Sequence, residues 1–252
     1  MEVPISVYAA KLTKKGTLNP AYTSIQDVKD NFVSIASVAD INKADCVSIS
    51  GANIMERAFY PEGKDAYVSY PQIRASFVRK ISRNELVPDA SFVAVIVVGN
   101  KSDEVDKEGE VTGRLLVNGL LVQYGDRVES VKFVVQNENA INHIRQYWDD
   151  GSTVKIKGKV NFSSKTEWVE EEMGFGDPIR TPKVTNTHEF IIGSGSAAGF
   201  DGDMAYDIAE IQKGLTDRKA RIEETKNYTK KASASSTTQK VTPETLKEQF
   251  GF

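Results

Sequence analysis

The chain has 252 residues, of which 40% are hydrophobic and 27% charged, and its 32 Lys and Arg against 35 Asp and Glu give a formal net charge of −3. These values are typical of a soluble globular protein of one or two domains, because a chain of this length can bury a full core. The near-zero net charge argues against wholesale coating of duplex nucleic acid. It leaves room for a local basic groove, because affinity depends on where the charge lies.

Little in the sequence could support a disulfide, a metal site or a catalytic centre. Cys46 is the single cysteine, which excludes an intramolecular disulfide and a Cys-rich zinc site. Neither His143 nor His188 has a spaced carboxylate or cysteine partner, and the glycine-rich residues 193–199 lack the second strand of a dinucleotide-binding unit. We therefore expect no metal, no cofactor and no enzyme activity.

The sequence also predicts no association with a membrane. No apolar run reaches the roughly 20 residues of a membrane helix. The first residues lack the basic start and apolar stretch of a signal peptide. We therefore expect a cytoplasmic location.

The first 44 residues are predicted to form an N-terminal helical extension. Residues 24–40 have the apolar spacing of one helical face, with Val28, Phe32 and Ile35 on it. Ser24 is the expected N-cap of this helix.

Residues 45–195 have the pattern of strands interrupted by one helix. Ala140, Ile141, Ile144 and Trp148 form one apolar stripe, and Asn137 or Asn139 is the expected cap of this helix. The polar residues 103–110 are predicted to form an exposed hairpin loop, and residues 163–185 a long loop or a protruding hairpin. The strand candidates are residues 46–51, 73–78, 92–98, 114–124, 128–135, 153–162 and 187–192.

The composition changes again after Gly193. Residues 193–199 are predicted to be a flexible hinge. A charged helix is expected over residues 204–230, and the Ser- and Thr-rich residues 232–239 are typical of a disordered linker. We therefore divide this end of the chain into a hinge with a charged helix, residues 196–231, and a flexible tail, residues 232–252.

The strand candidate from Thr153 to Phe162 has the cleanest alternation in the chain. It places Lys155, Lys157 and Lys159 on one side, about 6.6 to 6.8 Å apart. This spacing is similar to that of the phosphates in an extended single strand. The alternative is an ordinary solvated face of an antiparallel sheet, where lysines also protect exposed edges.

Other cations and several rings favour a basic groove over a merely solvated face. The acidic residues are concentrated in two blocks, residues 103–110 and 167–177, away from the lysines. Stacking of a base on an aromatic ring contributes roughly 1–3 kcal/mol and tolerates any sequence, although core packing is the alternative for each ring. The additional groove cations are Arg74, Arg79, Lys80, Arg114 and Lys132, and the candidate stacking rings are Tyr60, Tyr70, Tyr124 and Trp168.

The order of the elements is that of an OB-fold, a five-stranded barrel with a helix before its penultimate strand. In residues 45–57, 112–119, 124–135 and 148–160 the sequence resembles bacteriophage and bacterial single-stranded DNA-binding proteins. The resemblance covers residues 45–195 and implies a mainly β, OB-like domain in which residues 45–57 form the first barrel strand. It further implies sequence-independent binding of single-stranded DNA in replication, recombination or repair. A homo-oligomer and, for a phage-encoded chain, the cytoplasm of a bacterial host are compatible with it.

The C-terminus has a partial similarity to the same family. Its members commonly end in an acidic peptide with a terminal Phe that docks replication proteins. The present tail ends in Phe252 but holds only Glu244 and Glu248, offset by Lys247. The resemblance implies partner contacts through Phe250 and Phe252, and the alternative is a frayed end or a short helix packed on the body.

Two other functions share these sequence features. An RNA-binding OB module would have the same lysines and rings. A phage structural or assembly protein could use the same barrel as a scaffold. Both alternatives stay open at the level of sequence.

Overall fold

The computed structural model describes residues 5–61, 64–87, 89–171, 175, 179–197 and 206–235, and these residues are mainly β. The first half contains β1 (Ile5–Val7), α1 (Pro20–Asn31), α2 (Ile35–Val38), β2 (Cys46–Ser50), β3 (Asn53–Phe59), β4 (Val68–Ala75), β5 (Phe77–Ile81) and a 3-10 turn at Arg83–Glu85. The second half contains β6 (Ser91–Val105), β7 (Val111–Gln123), β8 (Arg127–Val135), α3 (Glu138–Tyr147), β9 (Thr153–Glu171), β10 (Ile179–Gly195) and α4 (Ile208–Ser235).

Five strands close into a barrel in the order β10-β8-β7-β6-β9. Neighbouring strands are antiparallel except β8 and β10, which run parallel with Phe190 opposite Phe133. Side chains alternate along each strand, so one set fills the interior, including the fully buried Ile96, Phe133 and Ile156. The predicted five-stranded OB-like barrel is confirmed.

Helix α3 closes the barrel between β8 and β9, as the apolar stripe predicts. The Asn137 side chain caps it by accepting a hydrogen bond of 3.1 Å from the Ala140 amide. Ile141 and Ile144 are buried in the barrel core together with Trp148, which follows the helix. This helix and the barrel therefore share one hydrophobic core.

The prediction that residues 45–57 form the first barrel strand is wrong. Strand β2 pairs with β5 in a separate two-stranded sheet, and β3 pairs with β4 in a sheet of order β1-β4-β3. None of the residues of β2 or β3 is fully buried. The longer strand β6 takes the first barrel position because it supplies the buried residues Phe92, Ile96 and Val98.

The N-terminal extension also differs from the predicted single helix. Helix α1 begins at Pro20, and the Asn19 side chain rather than Ser24 caps it by accepting from the Ala21 amide at 3.1 Å. Proline at the first helical position lacks only an amide that would have no helical partner. The chain then becomes extended at Phe32, and a short second helix begins after Ser34.

The predicted hinge begins inside the barrel. Residues 193–195 belong to β10, and the Ser196 amide donates to the Lys155 carbonyl at 2.8 Å. A Cβ on Gly195 would lie 2.5 Å from the Trp148 ring, so glycine here allows the strand to pass close to the core. The hinge prediction is therefore wrong for these residues.

Helix α4 packs on the outer face of the barrel. Ile211 lies in a buried cluster with Val97, Leu120 and Val128, and Ile222 is buried further along the helix. The helix continues to Ser235, into the predicted linker, while residues 236–252 lie outside the described residues. None of the helices in the described part of the chain has the length and apolar character of a membrane span.

Candidate nucleic-acid interface

Lys155, Lys157 and Lys159, called the lysine row here, point outward from the barrel strand β9. All three are exposed, while the alternating residues Val154 and Ile156 are fully buried. Pairing to β6 on one side and β10 on the other fixes their register. Residues of one strand face lie about 6.6 to 6.8 Å apart, so the strand holds the Cα atoms of the three lysines at an even spacing.

Within the part of the chain that the structure describes, carboxylates do not compensate the charge of the lysine row. Among the described residues, every ion pair involves other cations. The neighbouring outward residue on β6 is Val93, which is 60% exposed, and the neighbour on β10 is the half-buried Ile191. The row therefore combines free positive charge with flanking apolar surface.

Lys132 and Tyr70, two further predicted site residues, line one cavity of about 450 Å³, called the tyrosine cavity here. It lies between the outer face of β7 and β8 and the strand β4, and Tyr67 also lines it. Asn118 lies opposite Lys132 and accepts a hydrogen bond of 2.7 Å from the Ser130 hydroxyl. The face of the second and third barrel strands is where OB-folds bind oligonucleotides, and β7 and β8 hold these positions.

One strand separates the lysine row from the tyrosine cavity. Ile191 of β10 pairs with both Lys159 of β9 and Val134 of β8, and Lys132 lies two residues before Val134. Two interstrand spacings and one two-residue step place the Cα atoms of Lys159 and Lys132 about 12 Å apart. A polymer that contacts both sites has to pass around the curved barrel wall at β10.

Arg114 is tied into the barrel wall rather than exposed as a groove cation. Its guanidinium forms ion pairs with Glu189 at 2.6 Å and Glu104 at 3.3 Å. Asn161 also donates to Glu189, at 2.9 Å. Arg114 and Asn161 together compensate the Glu189 carboxylate, which lies between the lysine row and Lys132. The role of Arg114 is therefore structural.

The remaining predicted cations lie on other sheets. Arg74 of β4 stacks on the Tyr8 ring at 5.4 Å and lines a different cavity. On β5, Arg79 is exposed, and Lys80 pairs with Asp45 at 2.7 Å. The hydrogen bond from Lys80 is the main cause that lowers the pKa of the Asp45 carboxyl. The eight predicted cations therefore lie on three sheets, and the structure brings together the lysine row with Lys132.

The four predicted rings are also placed differently from one another. Tyr60 packs edge-on against Tyr67 with ring centroids 6.0 Å apart. Tyr124 is 99% exposed at the turn between β7 and β8. Trp168 is 66% exposed and lies opposite Pro182.

Trp168 is carried by a two-stranded arm formed by the ends of β9 and β10. In this arm, residues 163–170 and 179–186 are exposed, so the predicted protruding hairpin is confirmed. Two ion pairs lie on the arm. Lys165 pairs with Glu167 along β9 at 2.7 Å, and Arg180 of β10 pairs with Glu170 of β9 at 2.6 Å. The hydrogen bond from Lys165 lowers the pKa of Glu167.

Sequence comparison assigns the chain to a family. The family model YorF matches residues 1–228. The chain belongs to the YorF family. No curated protein matches it in sequence.

Two solved structures are weakly similar to this YorF-family chain. The mitochondrial single-stranded DNA-binding protein Rim1 from S. cerevisiae is 12% identical with a TM-score of 0.31, over 44% of this chain and 95% of Rim1. A deletion mutant of the single-stranded DNA-binding protein from Thermus aquaticus is 11% identical with a TM-score of 0.39, over 62% of this chain and 61% of that one. Both likenesses are weak, and the barrel is defined by its own strand pairing.

Sequence reasoning missed the polar residues Asn118 and Ser130, which line the tyrosine cavity of this YorF-family barrel. Asn118 interrupts the apolar run Leu115–Leu121, which is a signal that could have indicated an outward-facing position. Ser130 has no comparable signal, because it becomes a neighbour of Asn118 only through strand pairing. The predicted tail residues Phe250 and Phe252 lie outside the described residues.

Proposed function

We propose that this YorF-family protein binds single-stranded DNA without sequence specificity. The observation that carries the proposal is the lysine row, three exposed ammonium groups on one rigid strand with no carboxylate partner among the described residues. Neutralising phosphates releases condensed counterions, which drives binding without reading the bases. The net charge of −3 does not oppose this, because the row concentrates positive charge locally.

The flexibility of an unpaired strand suits this surface better than a rigid duplex does. A single strand that follows the lysine row can cross β10 and reach Lys132, about 12 Å from Lys159. There Tyr67 and Tyr70 line a cavity with hydrogen-bonding groups, and rings of this kind stack on bases of any sequence. The exposed Trp168 on the arm offers a second stacking surface.

A protein of this kind acts wherever duplex DNA is opened, so we propose a role in replication, recombination or repair, in the cytoplasm of a bacterial host. The proposed activity is binding without catalysis. Contacts with replication proteins through Phe250 and Phe252 are part of the same proposal.

The lysine row can be tested by a triple substitution, Lys155→Gln, Lys157→Gln and Lys159→Gln. The measurement is the anisotropy of labelled oligo-dT titrated with protein at several salt concentrations. Each lost phosphate contact on a single strand reduces the salt slope by about 0.7, so the triple variant is expected to lose about 2 units of slope and at least about tenfold in affinity. Lys11→Gln, Lys14→Gln and Lys15→Gln together form the matched control, since these lysines are also exposed.

The outcomes separate the proposal from its alternatives. An unchanged slope in the lysine-row variant would reject the assigned surface. Duplex DNA of equal length that binds as tightly as oligo-dT would reject single-strand binding. Tighter binding of oligo-U than of oligo-dT would favour an RNA-binding module instead.

A further inference from the structure

A second cavity, of about 510 Å³, is dominated by arginine and is called the arginine cavity here. It lies where the sheet β1-β4-β3, the barrel strand β8 and helix α4 meet. Two carboxylates, Glu56 and Glu129, line it as well. The arginines that line it are Arg57, Arg74, Arg127, Arg218 and Arg221.

Both carboxylates are already engaged. Glu56 accepts two hydrogen bonds from the Arg218 guanidinium, with Nε to Oε2 at 2.5 Å. Glu129 is almost completely buried, forms an ion pair with Arg127 at 2.8 Å and accepts from the Glu56 amide. These contacts compensate two of the five arginines.

The other three arginines have no carboxylate within ion-pair distance among the described residues. The Arg57 guanidinium lies 5.8 Å from the Phe59 ring and 5.9 Å from the Tyr70 ring, and that of Arg74 lies 5.4 Å from the Tyr8 ring. Arg221 donates to the Val128 carbonyl at 3.1 Å. Stacking on a ring fixes the plane of a guanidinium and leaves its N–H edge free to donate.

Holding these cations together is unfavourable without an anion. Burial lowers the pKa of the Arg221 guanidinium, and the like charge of Arg127 lowers it further. Partly buried charge is costly unless it is paired. A ligand with two negative charges and several acceptor oxygens would offset both the cost of burial and the repulsion between the arginines.

We propose that the arginine cavity binds the phosphate group of a nucleotide. Guanidinium forks match phosphate oxygens in bidentate geometry, and a cavity of this volume accepts a ligand of nucleotide size. The cavity shares no residue with the lysine row, so the site is additional to the proposed single-strand surface. The phosphate can belong to a free nucleotide or to the 5′ end of a DNA strand, since both present the same dianion.

The test uses isothermal titration of the full chain with dTMP and with inorganic phosphate. Wild type is expected to bind both, and the double variant Arg74→Gln and Arg221→Gln to bind each at least about tenfold more weakly, because it loses two charge-assisted donors. The double variant Arg74→Lys and Arg221→Lys keeps the charge but loses the bidentate fork, so it is also expected to bind both compounds more weakly. It replaces the Gln variant in the test if that variant does not fold. Thermal unfolding without ligand checks the fold of each variant.

Further results decide whether the proposal holds and whether the bound phosphate belongs to a free nucleotide or to a strand end. No binding of either compound by wild type, or unchanged affinity in the folded variants, would overturn it. Competition with dTMP by 5′-phosphorylated oligo-dT but not by 5′-hydroxyl oligo-dT would support the strand end as the source, and lack of competition by both would support a free nucleotide. The lysine-row variant is expected to retain dTMP binding, so failure of the single-strand proposal is distinguishable from failure of this one.

Discussion

Gly158 lies within the lysine row at a point where the barrel wall leaves no room for a side chain. A side chain at this position, between Lys157 and Lys159, would point inward. Its Cβ would lie 2.7 Å from Cζ of Phe92 and still closer to the Ile191 carbonyl oxygen. A backbone carbonyl cannot move aside as a flexible side chain can. The register that spaces the lysines therefore depends on glycine at this position.

Gly158→Ala is expected to destabilise the barrel by about 1–3 kcal/mol, because the added methyl group overpacks a wall whose strand positions are fixed by pairing. Gly193→Ala on the adjoining strand is the matched control. A Cβ there would meet only the Lys157 carbonyl oxygen at 3.7 Å, an ordinary contact. Chemical denaturation of both variants measures the difference, and equal stabilities would contradict the proposed lack of space.

At the scale of elements, helix α4 is attached to the barrel by a buried ion pair as well as by apolar contacts. The side chains of Arg218 and Glu56 are only 13% and 5% exposed. The hydrogen bond that Arg218 donates to Glu56 is the main cause that raises the pKa of Arg218, and the same carboxylate accepts from the Ser130 amide of β8 at 3.3 Å. The pair thereby links α4, β3 and the barrel.

Arg218→Ala is expected to lower the free energy of unfolding by about 2–4 kcal/mol, since it leaves the Glu56 carboxylate buried without its counterion. Lys219→Ala, one residue further along the helix and exposed, should change it by less than about 0.5 kcal/mol. Denaturation of both variants provides the comparison. Adding Glu56→Gln to Arg218→Ala should restore part of the loss, and no recovery would show that the charge is not the cause.

The elements that were predicted well are those whose pattern is local. The alternation from Thr153 to Phe162 predicts both the strand β9 and the outward lysines, because period two is a property of a single strand. The stripe over Ala140 to Trp148 and the cap at Asn137 likewise predict α3. Both signals are complete within about ten residues of sequence.

The features that were missed depend on distant parts of the chain. Alternation over Cys46–Ser50 predicts a strand correctly but not its partner, so its placement in the barrel was wrong. The charge on Arg114 looked available because its partner Glu189 is 75 residues away. The arginines of the arginine cavity come from β3, β4, β8 and α4, so no local motif contains them.

At the scale of the whole molecule, two tryptophans report different events. Trp148 is 2% exposed in the core, whereas Trp168 is 66% exposed on the arm. A change in the environment of Trp148 requires a change in the core. A ligand that contacts the arm changes the environment of Trp168 alone.

Saturation of the protein with oligo-dT is therefore expected to quench part of the tryptophan fluorescence, and Trp168→Phe should abolish the quenching because it removes the exposed indole that the bases contact. The buried Trp148 remains in that variant as an internal reference for the folded state. Duplex DNA serves as the control ligand. Quenching that persists in Trp168→Phe would contradict a role for the arm in binding.

The two strand pairs that close the barrel, β6 with β9 and β8 with β10, have a consequence for its biosynthesis. Strand β6 meets β9 with Ser91 opposite Lys159, and β8 meets β10 with Phe133 opposite Phe190. Such non-local pairing is slow to form, and here it must wait until the last two strands have left the ribosome. A nascent chain that stops before β10 therefore lacks one of the two strands that hold β9, and the wall that carries the lysine row closes only once translation of the barrel is complete.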